Sequence, residues 1–391
     1  MRRQHYAGRD LRRAVTIEDL RRMAHRRLPR SSCEYLEGGA EDEVSLKRNR
    51  DVFERIVWQP RSLVGVAMPD PAVTLFGKRA NLPIVIAPTG FNGLLWPHGD
   101  LALARAAATA GIPFTLSTVS NCAIETLARE APGDNWFQLY PVKDPRTLDS
   151  LVDRARDAGY GTLVVTTDVP ALGAREWDQR NYRAPMKLGV PALLDMLAHP
   201  AWVCRVLLPG GVPRFENLLE FLPAGGERQS AFMGVRYLAT QLNPLFSWAA
   251  VARLRERWRG RLVLKGILSV EDARRAVDLG ADGIVLSNHG GRQLDSAISG
   301  VELLPTVAAE LRDRITLLVD GGFRRGSDVL KAMALGAHAV MIGRATLYGL
   351  AAGGEAGVAH ALTLLRAEME RAMTLLGCRT MTEVGRHLIR S

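Results

Sequence analysis

The sequence predicts an α/β chain closed as a (β/α)8 TIM barrel, and three observations carry that expectation. Eight short, continuously apolar runs occur, most followed by a segment of helical character. They begin roughly 20–35 residues apart with one exception, and every one ends in polar residues or glycine.

The runs are 82–87 (LPIVIA), 112–116 (IPFTL), 135–139 (NWFQL), 161–167 (GTLVVTT), 261–265 (RLVLK), 282–287 (DGIVLS), 315–320 (ITLLVD) and 338–343 (HAVMIG). Each is too short and too uniformly apolar for an amphipathic helix, and suits a parallel strand covered on both faces. Helices are expected between them at Asp100–Ala110, Asp144–Ala158, Ser269–Leu279 and Gly326–Leu335, with Gly111, Gly159, Gly280 and Gly336 as C-terminal stops. A doubly wound open sheet is the alternative reading of the same rhythm.

The exception is the step from the fourth run to the fifth, about 100 residues. The excess, residues 184–240, is an insertion on the fourth βα loop and so on the catalytic face. Its stretch from Leu188 to Pro213 is apolar but broken by Asp195, His199, Arg205 and four prolines. A spanning helix needs about 20 mainly apolar residues without such breaks. Two readings stay open: an element lying in a membrane interface, or a lid packed on the barrel or a neighbouring subunit. The chain reads as one domain over 1–391, with an N-terminal helical segment (1–80) ahead of the barrel (81–376).

Across 391 residues, 47% hydrophobic and 24% charged composition excludes disordered, fibrous and coiled-coil classes. Cys33, Cys122, Cys204 and Cys378 stand far apart, which excludes a disulfide scaffold and a cysteine zinc site and fits a reducing compartment. No apolar run follows the first arginines, so no secretory signal is expected. Of the net charge of +10, residues 1–30 supply +7: ten arginines against Asp10, Glu18 and Asp19. Such an arm meets solvent, an anionic membrane surface or nucleic acid; with only Tyr6 interleaved and no nucleic-acid motif after it, no nucleic-acid partner is expected.

Barrel enzymes place their chemistry at the C-terminal strand ends, and here those ends are polar. They carry Pro88-Thr89-Gly90, Ser117, Gln138 with Tyr140, Thr166 with Asp168 and Arg175, Lys265, Ser287 to Arg292, Asp320-Gly321-Gly322 and Gly343-Arg344. Glycines at the seventh and eighth ends let backbone N–H groups approach an anion, and Arg324 and Arg344 add forked donors, so a bound phosphate is expected there; tight turns are the bland alternative. Lys265 is one of six lysines against 45 arginines. It could stabilise negative charge on a conjugated cofactor, form a Schiff base, or only pair at the barrel mouth. His289, flanked by glycine, is the general-base candidate, with Asp168 to orient it. Arg175 and Arg292 around one base imply an anionic substrate, most simply a carboxylate. No GxGxxG, Walker loop or HExxH occurs, and no metal site is expected.

With these residues assembled, the sequence resembles the FMN-dependent L-2-hydroxy acid dehydrogenase/oxidase family from about Ile17 onward, apart from the insertion. The motifs are YLEGGAEDE (35–43), APTGFNG (87–93), WFQLY (136–140), TTDVPALGAR (166–175), LKGI (264–267), SNHGGRQLD (287–295), DGGFRRGSD (320–328) and GRATLYGLA (343–351). The resemblance implies FMN as cofactor. Pro88, Thr89, Gly90, Ser117, Gln138, Thr166, Lys265 and Ser287 would contact its ring or ribityl chain, with Lys265 beside N1 and O2. Asp320, Gly322, Arg324, Gly343 and Arg344 would hold the ribityl and phosphate end. Tyr35, Arg175 and Arg292 would bind the substrate carboxylate, Tyr140 would hydrogen-bond near the reacting oxygen, and His289 would be the base, taking its proton from Cα or from the hydroxyl.

Within the family, YLEGGAEDE, residues 88–107 and GRATLYGLAA are similar to the membrane-associated (S)-mandelate dehydrogenases. NYRAPM and AHPAWVC in the insertion are similar to the membrane-associated L-lactate dehydrogenases. The strand 1 loop, lining the flavin pocket, favours an aryl 2-hydroxy acid such as (S)-mandelate. Gly90, where the oxidases more often carry alanine, resembles the dehydrogenases that pass electrons to a quinone. The resemblance further implies a homotetramer in the cytoplasm, peripheral on the inner face of the cell membrane. L-Lactate as substrate and oxygen as acceptor are the alternatives.

Overall fold

The computed structural model describes residues 4–184, 187–211, 213–222 and 231–390. At its centre eight parallel strands close on themselves: β1 (Ile84–Ile86), β2 (Phe114–Ser117), β3 (Asn135–Leu139), β4 (Thr162–Thr166), β5 (Arg261–Ile267), β6 (Gly283–Leu286), β7 (Thr316–Asp320) and β8 (Ala339–Ile342). β8 pairs back onto β1, Val340 opposite Ile84, so the sheet has no edge and the open-sheet alternative is excluded. Each strand falls on one of the eight expected runs.

The two-residue period of a strand then sorts the side chains. Val85, Trp136, Val164, Val263, Val285, Leu318 and Met341 fill the barrel interior. Their neighbours Ile84, Phe137, Leu163, Leu264, Ile284, Leu317 and Val340 pack outward in the larger core beneath the helices. One period beyond the interior layer, the third to eighth strands present their next inward residue at the C-terminal mouth. Those residues are Gln138, Thr166, Lys265, Ser287, Asp320 and Gly343.

Of three N-terminal helices, α1 (Ile17–Arg27) packs on the long helix Arg344–Leu376, while α2 (Arg30–Glu37) and α3 (Val44–Arg55) reach the loops of that mouth. A capping box of Thr16 and Asp19 starts α1. The start of α3 is held in trans, because Asp295 accepts from the N–H groups of Val44 and Ser45 at 3.1 and 2.7 Å. Asn49 and Asn288 exchange two amide hydrogen bonds at 2.8 and 3.0 Å, tying α3 to the loop after β6.

The segment 1–80 also contains a hairpin, Val73–Leu75 with Lys78–Ala80, that the sequence reading did not identify. Leu75 joins the interior cluster and Phe76 meets the Trp136 ring at 5.6 Å. Phe76 also lies against Gly283, the first residue of β6, so the hairpin plugs the N-terminal end of the barrel. Three-residue strands carry too little periodicity to be read from sequence.

Of the expected insertion, residues 185–186, 212 and 223–230 lie outside the described residues. The rest forms a helix at Val190–Leu197, a second segment at Pro200–Leu207 turned by 83° from it, and a helix at Ala231–Gln241. Its inner side is docked: Trp202 is buried and donates Nε1–H to the Leu94 carbonyl at 2.8 Å, and Asp195 accepts from the Arg30 N–H. Its outer side leaves Leu193, Leu194, Leu197 and Leu208 between 49 and 73% exposed. Among the described residues no single helix is long and apolar enough to cross a membrane.

Candidate active site

The mouth residues form two hydrogen-bonded groups. On one wall Ser117 Oγ donates to Gln138 Oε1 and Gln138 Nε2 donates to Thr166 Oγ1, each at 2.9 Å. On the other, the Lys265 ammonium donates to Ser287 Oγ at 2.9 Å and pairs with Asp320 Oδ2 at 3.0 Å. All six side chains are buried. Burial alone would pull the Lys265 ammonium down, but Asp320 and then Asp168 outweigh it, so it is held above its ordinary range as a fixed cation. Asp320 Oδ1 is buried with no hydrogen-bond partner among the described residues. A buried carboxylate oxygen in that state is an acceptor awaiting a donor.

His289 sits above this layer. Its backbone is left-handed, φ 59°, as are Gly290 and Gly291 after it, a run that turns the chain sharply at the end of β6. The backbone N–H of His289 donates to Ser287 Oγ at 3.0 Å, and the ring Nδ1 meets Asp168 Oδ1 at 3.0 Å. An ionised Asp168 accepts a hydrogen bond from Nδ1–H, which leaves Nε2 as the acceptor nitrogen. Burial would raise the Asp168 carboxyl, yet His289 and then Lys265 draw it below the usual range, so it stays charged.

Gly266 explains how Asp168 fits. The β5–β6 register shifts between Lys265 and Ile267, and a Cβ on Gly266 (φ 108°) would stand 2.7 Å from Asp168 Cβ and Cγ. The glycine in LKGI is therefore a clearance for the acid that orients the histidine, a role the sequence reading did not assign. The expected run ends at Lys265, whereas the strand continues to Ile267; a glycine inside a strand is the signal that the longer bounds would have offered.

Around His289 stand the anion-handling groups. Burial pushes the Tyr140 hydroxyl up, Asp168 and Tyr35 add to this, and Arg175 and Arg292 oppose it, so all four groups lie near enough to act on that hydroxyl. Tyr35 donates to the Gly90 carbonyl at 3.2 Å, and the Arg292 guanidinium lies 5.1 Å from the Tyr35 ring centre. Arg292 Nη1 also donates to the carbonyls of Tyr35 and Gly38, each at 2.9 Å.

At the β7–β8 side, Arg324 donates to the Tyr348 hydroxyl at 3.3 Å, and Tyr348 donates to Glu37 at 3.1 Å. Burial opposes ionisation of Glu37, but His25 and Arg21 hold its carboxyl down at about 2. Neither Glu37 nor Tyr348 was assigned from sequence, where a helix-end glutamate and a tyrosine look ordinary. Arg344 directs Nε, Nη1 and Nη2 to the carbonyls of Leu36, Gly290 and Gly38 at 2.8–3.0 Å. It clamps the end of α2 to the loop after β6 as well as standing beside Gly343. Gly322 and Gly343 are at this end, and Pro88, Thr89 and Gly90 follow β1 on the adjoining edge.

Comparison with known proteins finds relatives that match nearly the whole chain. The profile of the FMN-dependent dehydrogenase family matches residues 24–391. The (S)-mandelate dehydrogenase of Pseudomonas putida is 47% identical over 370 residues, 94% of this chain and 92% of that protein. The L-lactate dehydrogenase of Caulobacter vibrioides is 42% identical over 371 residues, 95% of this chain and 96% of that protein. Among solved structures, the monotopic membrane protein (S)-mandelate dehydrogenase superposes with a TM-score of 0.91 at 46% identity, covering 96% of this chain and 99% of its own. A mandelate oxidase with (S)-4-hydroxymandelic acid superposes at 0.80 and 39% identity, covering 95% and 98%.

Proposed function

Since the chain belongs to the FMN-dependent dehydrogenase family and uses FMN, we propose that it oxidises an L-2-hydroxy acid to the 2-keto acid, with an aryl substrate such as (S)-mandelate. The observation that carries this is the His289–Asp168 pair, 3.0 Å apart, with Asp168, Arg175 and Arg292 all close enough to act on the Tyr140 hydroxyl. The arginines and Tyr35 hold the carboxylate, Tyr140 donates to the reacting oxygen, and His289 Nε2 takes the proton.

The residues also fit the cofactor. Asp320 Oδ1 lacks a partner among the described residues and suits a ribityl hydroxyl. Ser117, Gln138, Thr166, Ser287, Pro88, Thr89 and Gly90 line the ring side. Lys265 would be the cation beside flavin N1 and O2, and Gly322, Arg324, Gly343 and Arg344 would hold the phosphate end. When bound, FMN accepts the two electrons that leave the substrate.

An aryl group is supported by the 47% identity to (S)-mandelate dehydrogenase. It is also supported by the rings packed beside Gly90: Phe91 lies 5.8 Å from Tyr35 and 4.4 Å from Phe215, centre to centre. We place the protein at the inner face of the cell membrane, with a quinone as acceptor. The exposed leucines of the docked insertion and the monotopic relative support that placement. The family's homotetramer is the assembly we expect by sedimentation.

The deciding experiment is anaerobic: the yellow protein is mixed with (S)-mandelate, then separately with L-lactate, and the visible flavin band is followed. Bleaching by mandelate at far lower concentration supports the aryl reading. Preference for lactate replaces it, and a band that neither bleaches overturns the 2-hydroxy acid assignment.

Gly266→Ala tests the orientation of the base. A methyl 2.7 Å from Asp168 must displace the carboxylate, and a displacement of about 1 Å in a catalytic group costs on the order of 100-fold in turnover. FMN content is expected to stay normal. Wild-type turnover would show that Asp168 need not hold this position.

A further inference from the structure

The loop after β1 is strained at both ends. Phe91 (φ 55°) and His98 (φ 52°) are left-handed without being glycine. Such residues persist only where their surroundings over-determine them. Between them lies the single turn Asn92–Leu94, and the helix α4 (Gly99–Ala110) begins immediately after.

What over-determines the loop is Asp100, in the first turn of α4. It is 1% exposed, and its two oxygens face different directions. Oδ1 accepts from Asn92 Nδ2 at 2.7 Å, and Oδ2 accepts from the backbone N–H of Asn121, in the loop after β2, at 2.8 Å. Asn92 then governs Thr89, accepting its hydroxyl at 3.0 Å and donating to its carbonyl at 3.1 Å. Asn121 governs the other side. Its Oδ1 accepts from the Gly93 N–H at 2.8 Å, and its Nδ2 donates to the carbonyl of Arg214, on the returning leg of the insertion, at 2.6 Å. A Cβ on Gly93 would stand 2.9 Å from both Asn121 Oδ1 and Pro213, so loop and insertion meet there without room for a methyl. Trp202 adds its bond to Leu94.

The carboxylate meets amides and backbone N–H groups rather than a cation, and burial raises its pKa to about 6. A charge kept buried on such terms makes its hydrogen bonds stronger and more directional than an amide would.

We propose that Asp100 is a positioning residue for the flavin pocket: through Asn92 it sets Thr89 and Gly90, and through Asn121 it makes that setting depend on the seated insertion. The proposal rests on the reading that Thr89 and Gly90 contact the flavin. It gives the insertion a second role, because a shift of its returning leg reaches the flavin edge through one shared side chain.

The test uses the holoenzyme and three variants. Asp100→Asn keeps the shape but offers a single acceptor oxygen and turns an N–H group toward a donor. The visible flavin band is expected to shift, FMN to dissociate about tenfold more readily, and kcat to fall about tenfold with little change in KM. Asn121→Ala leaves the Asp100 backbone contact but unties Arg214 and Gly93, so a smaller shift of the same kind is expected. That variant carries the test if Asp100→Asn does not fold. A lowered melting temperature with an unchanged band, FMN affinity and kcat would mean a merely structural role and overturn the proposal. Thr89→Ala separates the underlying reading: if it leaves the band and FMN affinity untouched, Thr89 is not a flavin contact and the premise fails.

Discussion

His289→Asn is expected to slow bleaching of the flavin by substrate about a thousandfold, within the range that a positioned general base supplies, while the protein keeps its FMN. Asparagine is chosen for the backbone. The residue has φ 59°, and asparagine tolerates the left-handed region better than most side chains. Its amide cannot accept a proton near neutral pH, so the loss reads out proton transfer rather than refolding of the loop. Rapid mixing under anaerobic conditions gives the reduction rate, and the visible spectrum gives the FMN content. Bleaching at the normal rate would remove His289 from the role of base.

Lys265→Met is expected to act on the cofactor and on the fold together. Lys265 is buried, with Asp320 at 3.0 Å, and Asp168 adds to the field that keeps it protonated. Removing one partner of a buried pair leaves an uncompensated carboxylate, which costs about 3–5 kcal/mol. On the proposed reading, the flavin would also lose a cation beside its electron-rich reduced form. If that cation contributes about 1.4 kcal/mol, the two-electron midpoint potential falls by roughly 30 mV. Thermal melting and potentiometric titration measure the two effects separately. A melting point that falls with an unchanged potential would place Lys265 away from the ring and leave it a structural pair.

These two side chains show how much of the site is written locally. His289 follows a buried strand and Lys265 closes an apolar run, and both depart from the composition around them, so a chemical reading singles them out without coordinates. The same holds for Asp168, Arg292 and Asp320. Gly266 falls just past the expected fifth run, and its reason, clearance for a side chain in the loop after β4, is a distance and not a pattern. Asp100 was less visible still. An aspartate in the first turn of a helix is ordinary as a partner for the helix N-terminus, and nothing adjacent in sequence tells that Asn121 stands against it.

By itself the sequence determined the barrel, because parallel strands buried on both faces read as unbroken apolar runs and their period of two carries the polar residues to one mouth. It also determined the family, since the motif residues stand together at those ends. The tertiary structure alone decided the hairpin that plugs the barrel, the seat of the insertion on Leu94 and Arg30, the clamp made by Arg344, and the thread from Thr89 through Asp100 to Arg214. Each of these depends on hydrogen bonds and contacts between residues that the chain brings together only by folding. Local periodicity reports which face of a strand or helix is covered, and not what covers it.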